Sequence, residues 1–245
     1  MDIARFQRQI IVPELGKTGQ KKLAKTHIAI VGCGGLGSNS ADFLTRLGIR
    51  QLTLIDNDHV NLTNLHRTAL YTESDIGAQK TTALSEHLRK IDSTLKINTH
   101  DVWITGKNAE EILTSCDLVL DGTDNLATRY LINEIAIKHQ IPWVYTGVHT
   151  TTGMILAIHP HKTPCLSCLS SHLPQIPENQ IPVLGTLPSI IAALQITEAL
   201  KLLFNQPTSG FLILNIWTMQ LDQININQNP NCSLCHHHHY EYLTR

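Results

Sequence analysis

The amino-acid sequence predicts an α/β fold, a doubly wound, mainly parallel sheet continued by antiparallel strands toward its C-terminal end. Three observations carry this expectation. Residues 27–37, His-Ile-Ala-Ile-Val-Gly-Cys-Gly-Gly-Leu-Gly, run from β-favouring apolar residues into a glycine cluster, and a helical pattern follows from Ser38 to Leu47. Strand-like and helix-like segments then alternate as far as Thr146. Past Ile158 the alternation stops, and two late strands, Phe211 to Trp217 and Gln220 to Ile226, are joined by a turn too short for a parallel crossover.

Composition sets the outer bounds. With 245 residues and 42% apolar content the chain can bury a full core, and it reads as one domain. Residues 27–150 form its Rossmann-like, nucleotide-binding half, 151–235 a crossing loop, a metal site and the last strands, and 236–245 a tail. A net charge of -1 argues against a broad nucleic-acid or membrane footprint. There is no 18-residue apolar run, and the first six residues lack the apolar core of a signal peptide, so a cytoplasmic protein is expected.

Taken in order, residues 1–26 carry Arg5 and Arg8 ahead of a helical pattern from Thr18 to Ala24. Both arginines read either as solvated surface or as cations near a phosphate site. Next comes the glycine cluster, where Gly32 permits the turn and Gly34 lets backbone approach a phosphate with no Cβ in the way. Gly37 lets the following helix pack closely on the strand, and the free N–H groups of that helix face an anion. Gly48 is placed as a C-cap, and Gln51 to Asp56 alternates as a second strand. Asp56 lies 19 residues beyond Gly37, the spacing of an acid that binds a ribose hydroxyl in NAD or ATP.

The next stretch separates those two ligands. Asn64 and Arg67 fall on one helical turn, and Lys80 opens an amphipathic helix running to Ile91. A single cation of this kind is ordinarily a solvated surface group. Hydride transfer needs no second set of cations, whereas a leaving pyrophosphate develops charge that Arg and Lys stabilise. Residues 96–101 read as a third strand and Lys107 to Leu113 as a short helix. Asp117 to Asp121 is a strand that runs into the polar turn Gly122-Thr123-Asp124-Asn125. Asp124 then stands at a strand's carboxyl end, where it can help hold Mg²⁺ or cap the helix Asn125 to His139; Asp121 reads as structural.

Strands at Ile141 to Thr146 and Gly153 to Ile158 precede a proline-rich crossing loop over residues 159–187, and Pro188 to Phe204 reads as a buried helix. Two C-x-x-C hooks, Cys165/Cys168 and Cys232/Cys235, stand 63 residues apart. Four thiolates suit one structural zinc ion, with a redox role as the alternative. Cys33 and Cys116 read as small core residues. His236 to His239 read as a solvated tail, with auxiliary metal binding as the alternative.

Together these residues resemble the ThiF/MoeB/HesA family, the bacterial relatives of ubiquitin-activating enzymes. The resemblance rests on Arg5-x-x-Arg8-Gln9-Ile10, Gly32-x-Gly34-Gly35-Leu36-Gly37, Asp56-x-Asp58-x-Val60, Asn64-Leu65-x-Arg67, Gly77-x-x-Lys80, Thr123-Asp124-Asn125 and both cysteine hooks. It implies adenylation, with ATP and Mg²⁺, of the C-terminal Gly-Gly carboxylate of a small ubiquitin-like sulfur carrier. By the same resemblance Asp56 holds the ribose, Gly32 to Gly37 face the triphosphate, and Asn64, Arg67 and Lys80 stabilise phosphate charge. Asp124 positions Mg²⁺ and the attacking carboxylate, and Arg8 reaches the neighbouring site of a homodimer. The run Asp124 to Arg129 is more similar to ThiF than to MoeB, which makes a thiamine-pathway, ThiS-type carrier the first expectation and a molybdopterin-pathway carrier the second.

One departure stands out. ThiF-like proteins commonly carry a cysteine about eight residues before the proline matching Pro188, and here Gln180 occupies that place. A carboxamide forms no thioester or acyl disulfide, so adenylation without covalent capture is expected, with sulfur delivered by a donor protein. Other readings are a relative that adenylates a peptide or a tRNA base, and an NAD(P)-dependent oxidoreductase. The last leaves Arg67, Lys80 and Asp124 unexplained as a set.

Overall fold

Within each central strand, successive residues enter different cores. Ile28, Ile30, Leu52, Leu54, Leu118 and Leu120 belong to one apolar cluster, while Ala29, Val31, Ile55 and Val119 belong to a second on the opposite face. Both faces of the strands are thus covered, as a parallel sheet requires. These details come from a computed structural model that describes residues 3–169 and 182–244.

The strands are β1 (His27–Val31), β2 (Gln51–Ile55), β3 (Lys96–His100), β4 (Leu118–Asp121), β5 (Trp143–His149), β6 (Thr152–Ile158), β7 (Phe211–Asn215) and β8 (Gln220–Ile224). They form one sheet in the order β3-β2-β1-β4-β5-β6-β7-β8. From β3 to β5 all pairs are parallel, and from β5 to β8 all are antiparallel. The expected parallel sheet with an antiparallel continuation is therefore present. The change of hand falls at β5 and β6, a hairpin paired from Trp143↔Ile158 to His149↔Thr152. Strand order reverses between β1 and β4, and a doubly wound sheet opens a crevice at that point, beyond the carboxyl ends of both strands.

The helices are α1 (Gly16–Leu23), α2 (Gly35–Leu47), α3 (Lys80–Ile91), α4 (Ala109–Leu113), α5 (Leu126–His139) and α6 (Leu187–Leu203). Apolar residues of α2, α3 and α6 fill the first cluster, and those of α4 and α5 fill the second. α2 begins three residues earlier than the pattern from Ser38 predicts, because glycines at its first turn carry no helical signal yet pack tightly there. Gly48 closes α2 in the left-handed conformation with φ of 95°, as its placement predicts. Among the described residues no helix is long and apolar enough to cross a membrane.

Candidate active site

The β1–α2 turn is shaped by what its glycines exclude. Gly32 has φ of 88°, and a Cβ there would lie 2.6 Å from the carbonyl oxygen of Gly122 in the β4–α5 turn. A Cβ on Gly37 would lie 1.8 Å from the carbonyl oxygen of Gly32, so no side chain fits. Gly37 therefore packs the turn and does not line the crevice. A Cβ on Gly34 would meet nothing within 4 Å, which leaves its backbone open to the crevice. A phosphate oxygen fits such a cradle, since the N-terminus of α2 points its free N–H groups and positive dipole end there.

Asp56 directly follows β2 and is fixed by the cradle itself. Its carboxylate accepts from the backbone N–H of Cys33 at 2.7 Å and of Asp58 at 2.8 Å. Burial pushes the Asp56 carboxyl above its ordinary range, and the Lys80 ammonium at 3.9 Å pulls it back. Lys80, nearly buried at the start of α3, donates to Asp58 at 2.8 Å. The buried Tyr71 hydroxyl lies 2.8 Å from the Cys33 carbonyl and 3.1 Å from that of Lys80, so it ties the cradle to α3.

Arg67 comes from a 3₁₀ helix, Leu62–Arg67, and donates to the Thr63 carbonyl at 2.7 Å. Burial lowers its guanidinium and the charge of Asp124, which lines the same crevice, raises it again. Asn64 does not line the crevice. Its side-chain Oδ1 accepts from the Asn61 N–H at 3.0 Å in a reciprocal cap, so its position reflects local turn chemistry.

In the β4–α5 turn the helix cap is Asn125, not Asp124: Asn125 accepts from the Thr128 N–H at 2.9 Å. Asp124 is exposed at the rim as a result. Asp121, one turn below, is fully buried and accepts from Arg129 Nε at 3.1 Å, from Thr123 Oγ1 at 2.7 Å and from backbone N–H groups of Thr123 and Thr146. Burial pushes its carboxyl up, with Arg129 opposing. Asp121 is thus the structural acid expected, and Arg129 is consumed in holding the turn.

One crevice collects Gly32, Gly34, Gly35, Leu36, Asp56, Asp58, Arg67, Lys80, Asp124 and Asn125. Arg8 is exposed and lies outside it. Arg5 is a surface anchor, bonded to the Ile91 carbonyl at 3.0 Å and to Asp92 at 3.1 Å. Two residues that no motif marked also matter. Trp103, 60% exposed, lines the crevice from the segment after β3. Buried Asn39 donates to the carbonyls of Gly35 at 2.6 Å and Arg67 at 3.2 Å and accepts from Ser189 at 3.0 Å. A lone amide among the small residues of α2 was the available signal for it.

The two cysteine hooks meet within the second apolar cluster. Sγ–Sγ separations are 3.8 Å for Cys165–Cys168, 3.6 Å for Cys165–Cys232 and 3.5 Å for Cys168–Cys235. Four sulfurs on one tetrahedral zinc, with Zn–S of about 2.3 Å, stand about 3.8 Å apart, so the donor set fits that ion. All four are free thiols at separations too long for disulfides. Crowding splits them: the hydrogen bond from Cys165 draws the Cys168 thiol down to about 4, and burial and its neighbours push Cys235 up to about 12. Cys33 and Cys116 are buried, and desolvation raises both thiols, Cys33 far above its ordinary value. Gln180 lies outside the described residues.

His236 to His239 are exposed, as expected of a solvated run, while the residues beyond them are docked. Glu134 on α5 accepts the backbone N–H of Glu241 and of Leu243, each at 2.8 Å, and Tyr242 stacks on Tyr130 with ring centres 5.2 Å apart.

Residues 6–234 match the ThiF family. The chain is 32% identical to a sulfur carrier protein adenylyltransferase from Thermus thermophilus, covering 96% of this chain and 91% of that one. It is 36% identical to an adenylyltransferase and sulfurtransferase MOCS3 of Culex quinquefasciatus, covering 94% of this chain and 56% of the relative, so it spans about half of that protein. A SAMP-activating enzyme E1 from Haloferax volcanii is 30% identical over 94% of this chain and 88% of its own. In fold, a crystal structure of E. coli MccB with ATP superposes with a TM-score of 0.83 at 21% identity, covering 94% of this chain and 74% of that one.

Proposed function

The chain belongs to the ThiF family, and on that premise we propose that it transfers AMP from ATP to the C-terminal carboxylate of a small ubiquitin-like sulfur carrier, releasing pyrophosphate. The observation that carries this reading is the convergence of Arg67, Lys80 and Asp124 on the glycine cradle in one crevice. A dinucleotide oxidoreductase has no use for that set.

In the proposed reaction a carboxylate oxygen attacks the α-phosphorus, and the bond to the bridging oxygen of the β-phosphate breaks. The nucleophile is already ionised, so no general base is required and catalysis reduces to alignment and charge neutralisation. The open backbone at Gly34 and the N-terminus of α2 receive phosphate oxygens, and Asp56 binds the ribose hydroxyls. Lys80 exchanges its contact with Asp58 for phosphate, and Arg67 turns from Thr63 toward the charge that develops on the leaving group. Exposed Asp124 suits Mg²⁺, a hard cation that keeps several waters and takes few protein ligands. When bound, that ion neutralises phosphate charge. Asn64 acts only through the turn that presents Arg67, and Arg8 serves the partner's crevice in a homodimer.

The cysteine tetrad holds zinc and staples the chain's C-terminal region to the crossing loop. With four cysteines committed there and two buried, none is offered to an acyl-adenylate, which agrees with Gln180 and with sulfur arriving from a donor protein.

For the carrier, a thiamine-pathway protein is the first reading and a molybdopterin-pathway carrier the second. Arg129, part of the run that points to ThiF, is buried against Asp121 and cannot read a carrier directly. ATP–pyrophosphate exchange with purified carriers ending in Gly-Gly decides: stimulation by one carrier alone assigns it. No exchange with any such carrier overturns carrier adenylation.

A further inference from the structure

Beyond the tetrad, one feature of this chain has no role in adenylation: four consecutive histidines, His236 to His239. They are held between two fixed points, the hook ending at Cys235 and the Glu134 clasp on residues 241 and 243. Backbone bonds fold the run back over the hook, from His236 and His237 to the Cys232 carbonyl, from His238 to Leu234 at 2.9 Å and from His239 to Ser233 at 2.9 Å. The fold aims one of these rings at a histidine far away in sequence. The ring centres of His238 and His161 stand 6.4 Å apart at an interplanar angle of 59°.

Backbone conformation marks the same pair. Among the described residues six non-glycine residues have positive φ, and His161 at 63° and His238 at 52° are two of them. That conformation costs about 1 kcal/mol or more per residue and gathers where a chain clamps a ligand. Two imidazoles on one ion, with metal–nitrogen bonds of about 2.0–2.1 Å, place their ring centres about 5–6 Å apart. Both side chains are exposed and free to turn, so a small rotation closes the difference.

We propose that His161 and His238 form a second transition-metal site, separate from the thiolate tetrad, with neighbouring histidines of the run and water completing the shell. Neutral imidazoles suit borderline divalent ions such as zinc, nickel or copper. Lacking thiolate charge, the site binds more weakly than the tetrad and exchanges its ion readily.

Calorimetric titration of zinc into the full chain, already carrying one tightly held equivalent, tests this. A second binding event near one ion per chain is expected. His161→Ala removes a direct ligand and should weaken it by more than the roughly tenfold lost when only a group hydrogen-bonded to a ligand is removed. His238→Ala should do the same, while cobalt-substituted protein keeps its thiolate absorption in both variants. Absence of a second event overturns the site. A second event unmoved by His161→Ala overturns it as well, because the run alone would then be binding.

Discussion

At the crevice Asp124 is exposed, Arg67 is half-buried, and Gly34 faces open space. At the cysteine tetrad every sulfur lies within 4.8 Å of the others and hydrogen-bonds within the group. Both regions are built to receive charge, yet one lies at the carboxyl ends of the strands and the other over the second apolar cluster, and they differ in how they are satisfied. The crevice lies where the parallel strands end, so turns and helix N-termini bring unspent donors to it. The tetrad lies within the second apolar core, where an unpaired thiolate is costly and a bound zinc ion would hold all four sulfurs together. Losses should therefore separate: damage at the tetrad should cost stability, and damage at the crevice should cost rate.

Cys232→Ser should give the largest effect. It leaves three ligands for zinc, and loss of the ion should lower stability by several kcal/mol, on the order of 10 °C in Tm for a chain of this size. Metal content should fall from near one tightly held zinc to near none, while exchange per folded molecule stays within a few-fold of wild type. A variant that keeps its melting temperature after losing the ion would show that the tetrad is not a staple.

Asp124→Ala is the opposite test. Its carboxylate bears no helix cap, since Asn125 has that task, so Tm should move by no more than about 2 °C. Exchange should fall by about 10²–10³, roughly 3–4 kcal/mol of transition-state stabilisation, the usual scale for one preorganised electrostatic group. A fall in stability as large as the fall in rate would erase the distinction between the regions. Asn39→Ala should lie between. It removes the bonds that fix Gly35 and Arg67, which costs about 1–3 kcal/mol of stability for the buried groups left unpaired. Exchange should drop more in kcat than in KM, because Arg67 is then free to leave its place. A change in KM alone would make Asn39 a binding group and not a positioning one.

The same division governs what could be read from sequence. Strand periods, the glycine spacing and the two C-x-x-C hooks are short-range patterns, and the sheet from β1 to β5 and the meeting of four sulfurs follow them. Contacts that depend on tertiary approach were not legible. Nothing local says that Asn125 would take the cap and release Asp124, or that Asn64 would turn to its own backbone. Trp103 reaches the crevice from a stretch with no motif, and the docking of Glu241 and Leu243 was not legible because their partner, Glu134, lies more than a hundred residues away. The helix pattern likewise missed the first turn of α2, since glycine is a poor helix former and stands there for packing.

The smallest effect is the most informative about the crevice. Burial raises the Asp56 carboxyl above its unfolded value, and Lys80 at 3.9 Å only partly offsets it. A folded state that holds this proton more tightly than the unfolded chain loses stability as pH rises from the ordinary aspartate value through the raised one. Asp56 therefore costs stability at neutral pH, the reverse of a carboxylate that stabilises a fold through an ion pair. Asp56→Asn loses one acceptor for the Cys33 or Asp58 N–H, so its absolute stability should be lower at acid pH. The gap to wild type should then narrow as pH is raised from about 4 to 7. Denaturant unfolding of both proteins at several pH values measures this directly. A gap that widens with pH would mean that the Asp56 charge stabilises the folded crevice, and the contrast with the self-satisfied tetrad would fail at its most buried acid.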